Sequence, residues 1–176
     1  MIYTKENPIG IDIPIQNLQK YLYGKLCKIW GISEDEYTSY CRVYRNQTKD
    51  GYIPEFYKGN NEYSESLPDD RVSALSFFSM TEKATNNMGA ITQNVALIFS
   101  VNIEKLNKNV PHRADEEIRQ DVIELVNSRL FGFEFLSIET GIKNVFKEYK
   151  TEGIKFNDMH PYHCFRLNLK IKYNKC

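Results

Sequence analysis

The stretch from Ile91 to Leu106, ITQNVALIFSVNIEKL, alternates between apolar and mostly polar side chains. Because successive side chains of a strand point to opposite faces, this period of two predicts a strand over 91–104. The apolar face comprises Ile91, Gln93, Val95, Leu97, Phe99, Val101 and Ile103. The other face comprises Thr92, Asn94, Ala96, Ile98, Ser100, Asn102 and Glu104. This pattern is typical of an antiparallel sheet covered on one side.

Two further segments predict strands of the same sheet. RVSALSFFSMTEKA indicates a strand over about 72–82, and TNNMGA at 85–90 interrupts it before the next strand. PYHCFRLNLKIKYN at 161–174 alternates strictly and predicts a strand with one wet face. Its two sets are His163, Phe165, Leu167, Leu169 and Ile171, and Cys164, Arg166, Asn168, Lys170 and Lys172.

Apolar residues at spacings of three and four predict two helices. The first runs over about 14–30, with Pro14 in its first turn and Gly31 as its stop. Its apolar stripe is Ile15, Leu18, Leu22, Leu26 and Ile29. The second runs over about 113–129 and buries Ile118, Val122, Leu125 and Val126. SIETGIKNVFKEYK at 137–150 indicates a short third helix, with Ile142, Val145, Phe146 and Tyr149 on one side.

An aromatic hairpin follows the first helix. SYCRVYRN (39–46) and YIPEFYKG (52–59) are typical of strands, and the Asp50-Gly51 pair between them is a hairpin signal. Pro54 lacks the N–H that a ladder uses, so we expect its strand to be an edge or bulged strand. Residues 58–70 predict a loop.

The order of these elements predicts one α+β domain, an antiparallel sheet with helices packed mainly on one face. Residues 1–12 are an extended N-terminal lead-in, and residues 13–176 are the α+β domain. The chain is 41% hydrophobic and 26% charged, which suits a packed core. No apolar run approaches the roughly 18 residues of a membrane helix, so we expect no membrane contact. Scattered cysteines and the lack of an export signal predict reduced thiols inside a cell.

The sequence offers little catalytic chemistry. His160, His163 and Cys164 are the nearest approach to a metal cluster, but His163 and Cys164 would point to opposite faces of a strand. Asp115, Glu116 and Glu117 are consecutive, so they spread around a helix instead of converging. No nucleotide-binding or hydrolase motif is present. We therefore expect no enzyme, no metal and no cofactor.

The hairpin is the candidate functional segment, because aromatic and basic side chains are concentrated in it. Its proposed contact residues are Tyr40, Arg42, Tyr44, Arg45, Tyr52, Phe56 and Tyr57. Aromatic and arginine side chains favour protein interfaces. Aromatics interleaved with basic groups also suit single-stranded nucleic acid, which is the alternative for residues 40–57. Nearby glutamates and a balance of 23 basic and 23 acidic residues favour the protein interface.

The order of elements resembles the tail-terminator and neck-ring proteins of tailed bacteriophages. The segments that carry the resemblance are the starting helix, the aromatic hairpin, QNVALIFSVNIEKL (93–106), HRADEEIRQDVIELVN (112–127) and the closing strand. The sequence is rich in Asn, Tyr and Lys, and in this it most resembles the ring proteins in the short tails of crAss-like phages. The resemblance spans roughly residues 13–174 and includes no catalytic motif.

The resemblance implies a structural virion protein that forms a ring between the portal and the distal tail. Its partners would be copies of itself, twelvefold by preference and sixfold as the other option, together with adjacent ring, portal or tail proteins. Genomic DNA would pass through the lumen only transiently. The protein would reside in the virion neck or tail, and in the cytoplasm of the bacterial host during assembly.

Overall fold

The computed structural model describes residues 1–68, 70–87, 90–106, 113–128, 132–152, 154 and 159–174, without the side chains of residues 81–83 and 87. Its strands are β1 (Ile2–Tyr3), β2 (Tyr37–Arg42), β3 (Tyr44–Thr48), β4 (Gly51–Gly59), β5 (Glu62–Glu65), β6 (Ala74–Asn87), β7 (Ala90–Asn102), β8 (Phe133–Thr140) and β9 (Tyr162–Asn174). Its helices are α1 (Asp12–Trp30), α2 (Asp115–Asn127) and α3 (Ile142–Val145), with 3₁₀ turns at Glu34–Glu36 and Ile103–Lys105.

The main sheet is mixed, whereas the sequence predicted an antiparallel one. Its strand order is β1-β2-β6-β7-β9-β8. The pairs β6–β7, β7–β9 and β9–β8 are antiparallel, but β1–β2 and β2–β6 are parallel. The reason lies in the connection from β2 to β6. The chain leaves the sheet to build β3, β4 and β5 and then returns in the same direction.

β7 is buried on both faces along most of its length, so the prediction of one wet face is wrong there. Asn94 is exposed as expected, but Ser100 and Asn102 are only 8% and 7% exposed. Phe99 lies on the predicted core face, where it stacks on Phe165 at 5.0 Å and meets the edge of Trp30 at 6.1 Å. The two central residues of the other face, Ala96 and Ile98, are fully buried.

The segment after β8 covers the second face of the sheet. Phe146 and Tyr149 pack on Phe77 of β6, with ring centroids 6.3 and 6.2 Å apart. Arg166 of β9 was predicted to be wet, but its side chain is 1% exposed and binds Glu148 of the covering segment. The wet half of β9 is therefore confined to its end, where Lys170 and Lys172 are exposed.

The third predicted helix is mostly replaced by a strand and an irregular segment. Residues 137–140 belong to β8, which pairs with β9 from Phe133 to Thr140. Gly141, at φ 81°, ends the strand, and α3 is a single turn. The predicted apolar side holds, since Val145, Phe146 and Tyr149 are buried. The sequence signal that could have predicted β8 is the alternation of the apolar residues Phe133, Phe135 and Ile138. A register shift between Phe135 and Ser137 interrupts this alternation.

The two long helices are confirmed close to their predicted bounds. α1 begins two residues before residue 14 and ends at Trp30. Gly31, at φ 63°, then donates its N–H to the carbonyl of Cys27, as a left-handed helix cap does. α2 buries Ile118, Val122 and Val126. Leu125, also predicted to be buried, is only partly buried, and Ile29 of the predicted α1 stripe is 40% exposed. Trp30 Nε1 donates to Asp121 Oδ2 at 3.0 Å, which joins the two helices.

The predicted lead-in contains β1, which two glutamines of α1 hold against the sheet. Gln16 Nε2 donates to the Lys5 carbonyl at 3.1 Å, and its Oε1 accepts from the Lys5 N–H at 2.7 Å. Gln19 Nε2 donates to the Tyr3 carbonyl at 3.0 Å. Tyr3 stacks on Tyr40 of β2 with ring centroids 4.8 Å apart. Residues 2–5 are thus bound by hydrogen bonds, by the aromatic contacts of Tyr3 and by the ion pair of Lys5 with Asp12.

β3, β4 and β5 form a second, antiparallel sheet in that order. The Asp-Gly hairpin is confirmed, with Thr48 paired to Gly51, but its predicted first strand is divided between β2 and β3. β4 is central instead of at an edge, and its bulge lies between Tyr57 and Gly59. Pro54 is tolerated because the ladder to β5 begins only at Glu55. The predicted loop 58–70 contains β5, since Asn60 and Asn61 adopt φ 51° and 63°, which suit a tight hairpin turn.

Together the elements make a single compact α+β domain with one mixed and one antiparallel sheet. α1 and α2 lie on one face of the main sheet. α3 and the second sheet lie on the other, which the sequence left uncovered. Among the described residues, no helix is both long and apolar enough to cross a membrane.

Candidate interaction surface

The second sheet begins where the chain leaves the main sheet. The Val43 N–H donates to the Phe78 carbonyl at 2.8 Å, which ends the pairing of β2 with β6, and Tyr44 then enters β3. Side chains of β3 and β4 alternate between a face turned to the main sheet and an outer face. This alternation divides the predicted contact residues into two groups.

Tyr40 and Phe56 belong to the joint between the two sheets. Their ring centroids lie 5.6 Å apart, and Tyr3 contacts both rings. Both residues are buried within the chain. They therefore contribute core contacts instead of an exposed surface, and their aromatic character is explained by packing.

Three tyrosines form a cluster on the outer face of the second sheet. Tyr63 of β5 lies opposite Tyr57 of β4, with ring centroids 5.1 Å apart, and meets the ring of Tyr44 at 6.4 Å. Tyr63 is 46% exposed, and the other two are partly exposed. We call Tyr44, Tyr57 and Tyr63 the tyrosine cluster. The sequence did not single out Tyr63, because the Asn-Asn turn that brings it beside Tyr57 was read as loop.

A charged cluster adjoins the tyrosine cluster. Asp12 accepts from Arg42 Nε at 2.6 Å, from Arg42 Nη2 at 3.0 Å and from Lys5 Nζ at 2.6 Å. Its side chain is 8% exposed. Tyr44 Oη accepts from Lys5 at 3.0 Å and from Arg42 at 3.2 Å. Both cations also lie over the Tyr44 ring, within about 5 Å of its centroid.

The electrostatics of this cluster fix Asp12 in its charged form. Burial raises the pKa of Asp12, but hydrogen bonds from Arg42 and Lys5 and the charges of both cations outweigh it, and the net pKa is lowered. Burial lowers the pKa of Arg42, and its bonds to Asp12 raise it above the usual value. Arg42 is thus bound mainly to Asp12, and only part of its side chain is exposed at the surface.

Arg45 and Tyr52 lie on the face turned to the main sheet, near its margin. The Arg45 guanidinium lies 4.6 Å from the centroid of the Tyr52 ring. The Tyr52 carbonyl accepts from the Lys150 N–H at 2.7 Å, and Lys150 Nζ contacts Asp50 of the hairpin turn at 3.0 Å. These contacts anchor the hairpin to the segment that follows α3.

A groove of about 640 Å³ runs between the N-terminal segment and the second sheet. Lys5, Asp12 and Arg42 line it together with Tyr44, Tyr57 and Lys58. Among the described residues, its lining contains no histidine, serine or cysteine. The side chains present offer aromatic area and directed charge, which suit the recognition of a partner.

His160, His163 and Cys164 are placed apart from one another. His163 is buried on the α1 face, where it stacks on Phe165 at 5.4 Å. Cys164 is buried on the opposite face, and its thiol donates to Ser100 Oγ at 3.5 Å. His160 is half exposed and lies 3.6 Å from Glu104. Within the described ranges, no group of three or more His, Cys, Asp or Glu residues is arranged to hold a metal ion.

Comparison with known proteins adds no relative to this description. No protein-family model matches the chain, and no curated protein does.

Proposed function

We propose that the chain is a structural protein of a tailed-phage virion, a subunit of a homo-oligomeric ring in the neck or tail. The observation that carries this proposal is the order of elements along the chain. α1, the aromatic hairpin, the long pair β6–β7, α2 and the closing strand β9 follow one another along the chain. The resemblance to the ring proteins rests on this order.

The tyrosine cluster supplies a contact surface for such a ring. A ring subunit meets its two neighbours through two different patches, and its ends meet the rings above and below. Interface energy concentrates in a few aromatic and arginine anchors. Tyr57 and Tyr63 present such aromatic area at the outer face of the second sheet, beside the cations of the groove.

In this role the chain binds copies of itself and adjacent ring, portal or tail proteins. Twelve copies would match a twelvefold portal, and six copies are the other option. DNA passes through the lumen transiently, and no chemical reaction is required of the subunit.

Cryo-microscopy of the virion neck tests the proposal directly. We expect density for this chain in a closed ring on the virion axis, with twelve or six copies. Absence of the chain from purified virions contradicts the proposal.

The alternative is a single-stranded nucleic-acid module at residues 40–57. The observation in its favour is that two guanidinium groups lie over tyrosine rings, Arg42 over Tyr44 and Arg45 over Tyr52. Asp12 and Glu55, which hold Arg42 and Asn46, count against it. Oligonucleotide binding that weakens steeply with salt would favour this alternative.

A further inference from the structure

The exposed side of α1 carries positive charge alone. The structure describes every residue of α1, and its exposed charged side chains are Lys20, Lys25 and Lys28. Its one carboxylate, Asp12, is buried and bound to Lys5 and Arg42. Lys20, Gly24 and Lys28 follow at intervals of four, so they form one stripe along the helix.

No contact among the described residues requires a glycine at position 24, in the middle of this stripe. A methyl group added at its Cα would meet no atom within 4 Å beyond the backbone of its own helix, and its φ is not positive. Glycine in a helix interior is destabilising relative to alanine. It does, however, allow another chain to approach the helix backbone closely. Gly24 lies in an open groove of about 760 Å³, which the three lysines also line.

α2 carries a stripe with the same spacing and the opposite charge. Glu116, Gln120 and Glu124 follow at intervals of four and are exposed. In both helices the charged residues stand eight positions apart, about 12 Å along the axis. The longer Gln120 side chain occupies the position that corresponds to Gly24. Glu116 already contacts Arg119 and Gln120 of its own helix. Such surface contacts are weak, so Glu116 can also bind a lysine of a second copy.

The two stripes lie on neighbouring helices over one face of the main sheet. α1 packs against β2, α2 packs against β8, and the two helices also contact each other, Trp30 with Asp121 and Tyr21 with Ser128. The stripes are nevertheless two different and complementary patches of one chain. Copies that join through two different patches bind head to tail, which is the contact that closes into a ring.

We propose that the Lys20–Gly24–Lys28 stripe of α1 docks on the Glu116–Gln120–Glu124 stripe of α2 in a second copy of this chain. The proposal rests on the ring function above and identifies the contact between neighbouring subunits. Lys20 and Lys28 meet the two glutamates, and Gln120 fills the gap over Gly24. The match of charge and spacing favours a second copy over DNA, which would satisfy the lysines but leave the α2 stripe without a role.

Charge reversal tests this contact, with oligomer size followed by sedimentation velocity over a concentration series. Lys20→Glu with Lys28→Glu, and separately Glu116→Lys with Glu124→Lys, should each weaken assembly at least about tenfold, because like charges then face each other. An equimolar mixture of the two variants should assemble again, since every contact in an alternating ring is then complementary. Rings from the mixture should contain an even number of copies.

Two controls separate charge from folding. Lys143→Glu with Lys172→Glu makes the same change in net charge at exposed positions away from the α1 stripe and from the aromatic hairpin, and should assemble as the wild type does. Gly24→Phe should fold, as judged by circular dichroism. It should fail to assemble, because the phenyl group of Phe fills the groove that Gln120 of the neighbouring copy would enter.

The outcomes distinguish this contact from the ring itself. Normal assembly of the lysine variant, or failure of the mixture to assemble, overturns the contact and leaves the ring function standing. A wild-type chain that stays monomeric throughout the series also overturns the contact. The ring function is judged separately, by whether virions contain the chain as a ring.

Discussion

Arg166 of β9 and Glu148 of the segment after α3 form an ion pair across the second face of the main sheet, with Nη2 of Arg166 2.7 Å from Oε1 of Glu148. Arg166 also donates to Asn168 Oδ1 at 2.9 Å, and its Nη1 is 3.4 Å from the Val145 carbonyl. A guanidinium buried to this degree requires its counter-ion. The pair therefore fixes the covering segment to the sheet.

Removal of one partner of this pair should destabilise the fold strongly. We expect Glu148→Gln to lower the free energy of unfolding by about 3 kcal/mol, since it leaves the buried Arg166 charge without a counter-ion. Arg166→Met combined with Glu148→Leu should cost less than the single change, because it removes both charges. Urea unfolding followed by circular dichroism measures all three chains. A single variant as stable as the wild type would show that the pair is not needed.

The central face of β7 offers a test of the core. Phe99→Ala should cost about 2–5 kcal/mol, because it empties a position packed between Trp30 and Phe165. Asn94→Ala on the same strand is the matched control and should change stability by less than about 0.5 kcal/mol, since Asn94 is exposed. Equal losses for the two variants would contradict the observed register.

Asp12 makes stability depend on pH in the acid range. Its pKa is lower in the folded chain than in the unfolded chain, so the stabilisation is complete above about pH 4 and is lost as pH falls through the folded value. Asp12→Asn should lower the free energy of unfolding at neutral pH by about 1.5–3 kcal/mol, the range for hydrogen bonds to charged groups.

The difference between wild type and Asp12→Asn should shrink as pH falls below about 4, because the wild type also becomes neutral there. Chemical unfolding at a series of pH values measures this convergence. Glu62→Gln, which changes an exposed carboxylate of β5, serves as control and should leave stability near its wild-type value. A difference that stays constant down to pH 2 would contradict the role of the charge.

The tyrosine cluster should matter for assembly more than for folding. Tyr57→Ala with Tyr63→Ala should leave a folded chain, because both side chains lie on the outer face of the second sheet. It should prevent incorporation into virions, since each lost anchor of an interface costs roughly 2 kcal/mol or more. Incorporation is measured by mass spectrometry of purified particles. Tyr40→Ala is the contrasting variant, because it should lose stability at the joint between the sheets.

The sequence predicted elements well where one periodic pattern decided them. α1, α2 and the cores of β7 and β9 follow from periods of 3.6 and two, and the Asp-Gly pair located its hairpin. It could not predict that a second sheet and the α3 segment cover the face that contains Ile98 and Arg166. That burial depends on a crossover and on an ion pair between residues 18 positions apart, neither of which leaves a periodic signal.

For the candidate surface, the sequence did not separate the buried aromatic side chains, Tyr40 and Phe56, from the exposed ones. Composition located the aromatic hairpin, yet it cannot say which ring points inward. The split at Val43 turns Tyr40 toward the core, and the Asn60-Asn61 turn adds Tyr63 to the outer face. The charged stripes of α1 and α2 were visible in the sequence, but their placement on neighbouring helices of one face required the fold.

The way Gln16 and Gln19 hold residues 2–5 makes that stretch resemble a peptide in a receptor. Its backbone is read by side-chain amides, and Tyr3 occupies a site formed by Tyr40 and Phe56. These contacts are all noncovalent, so the same stretch of another copy would make them equally well. Exchange of β1 between two copies would therefore keep every one of them, as in a domain-swapped dimer.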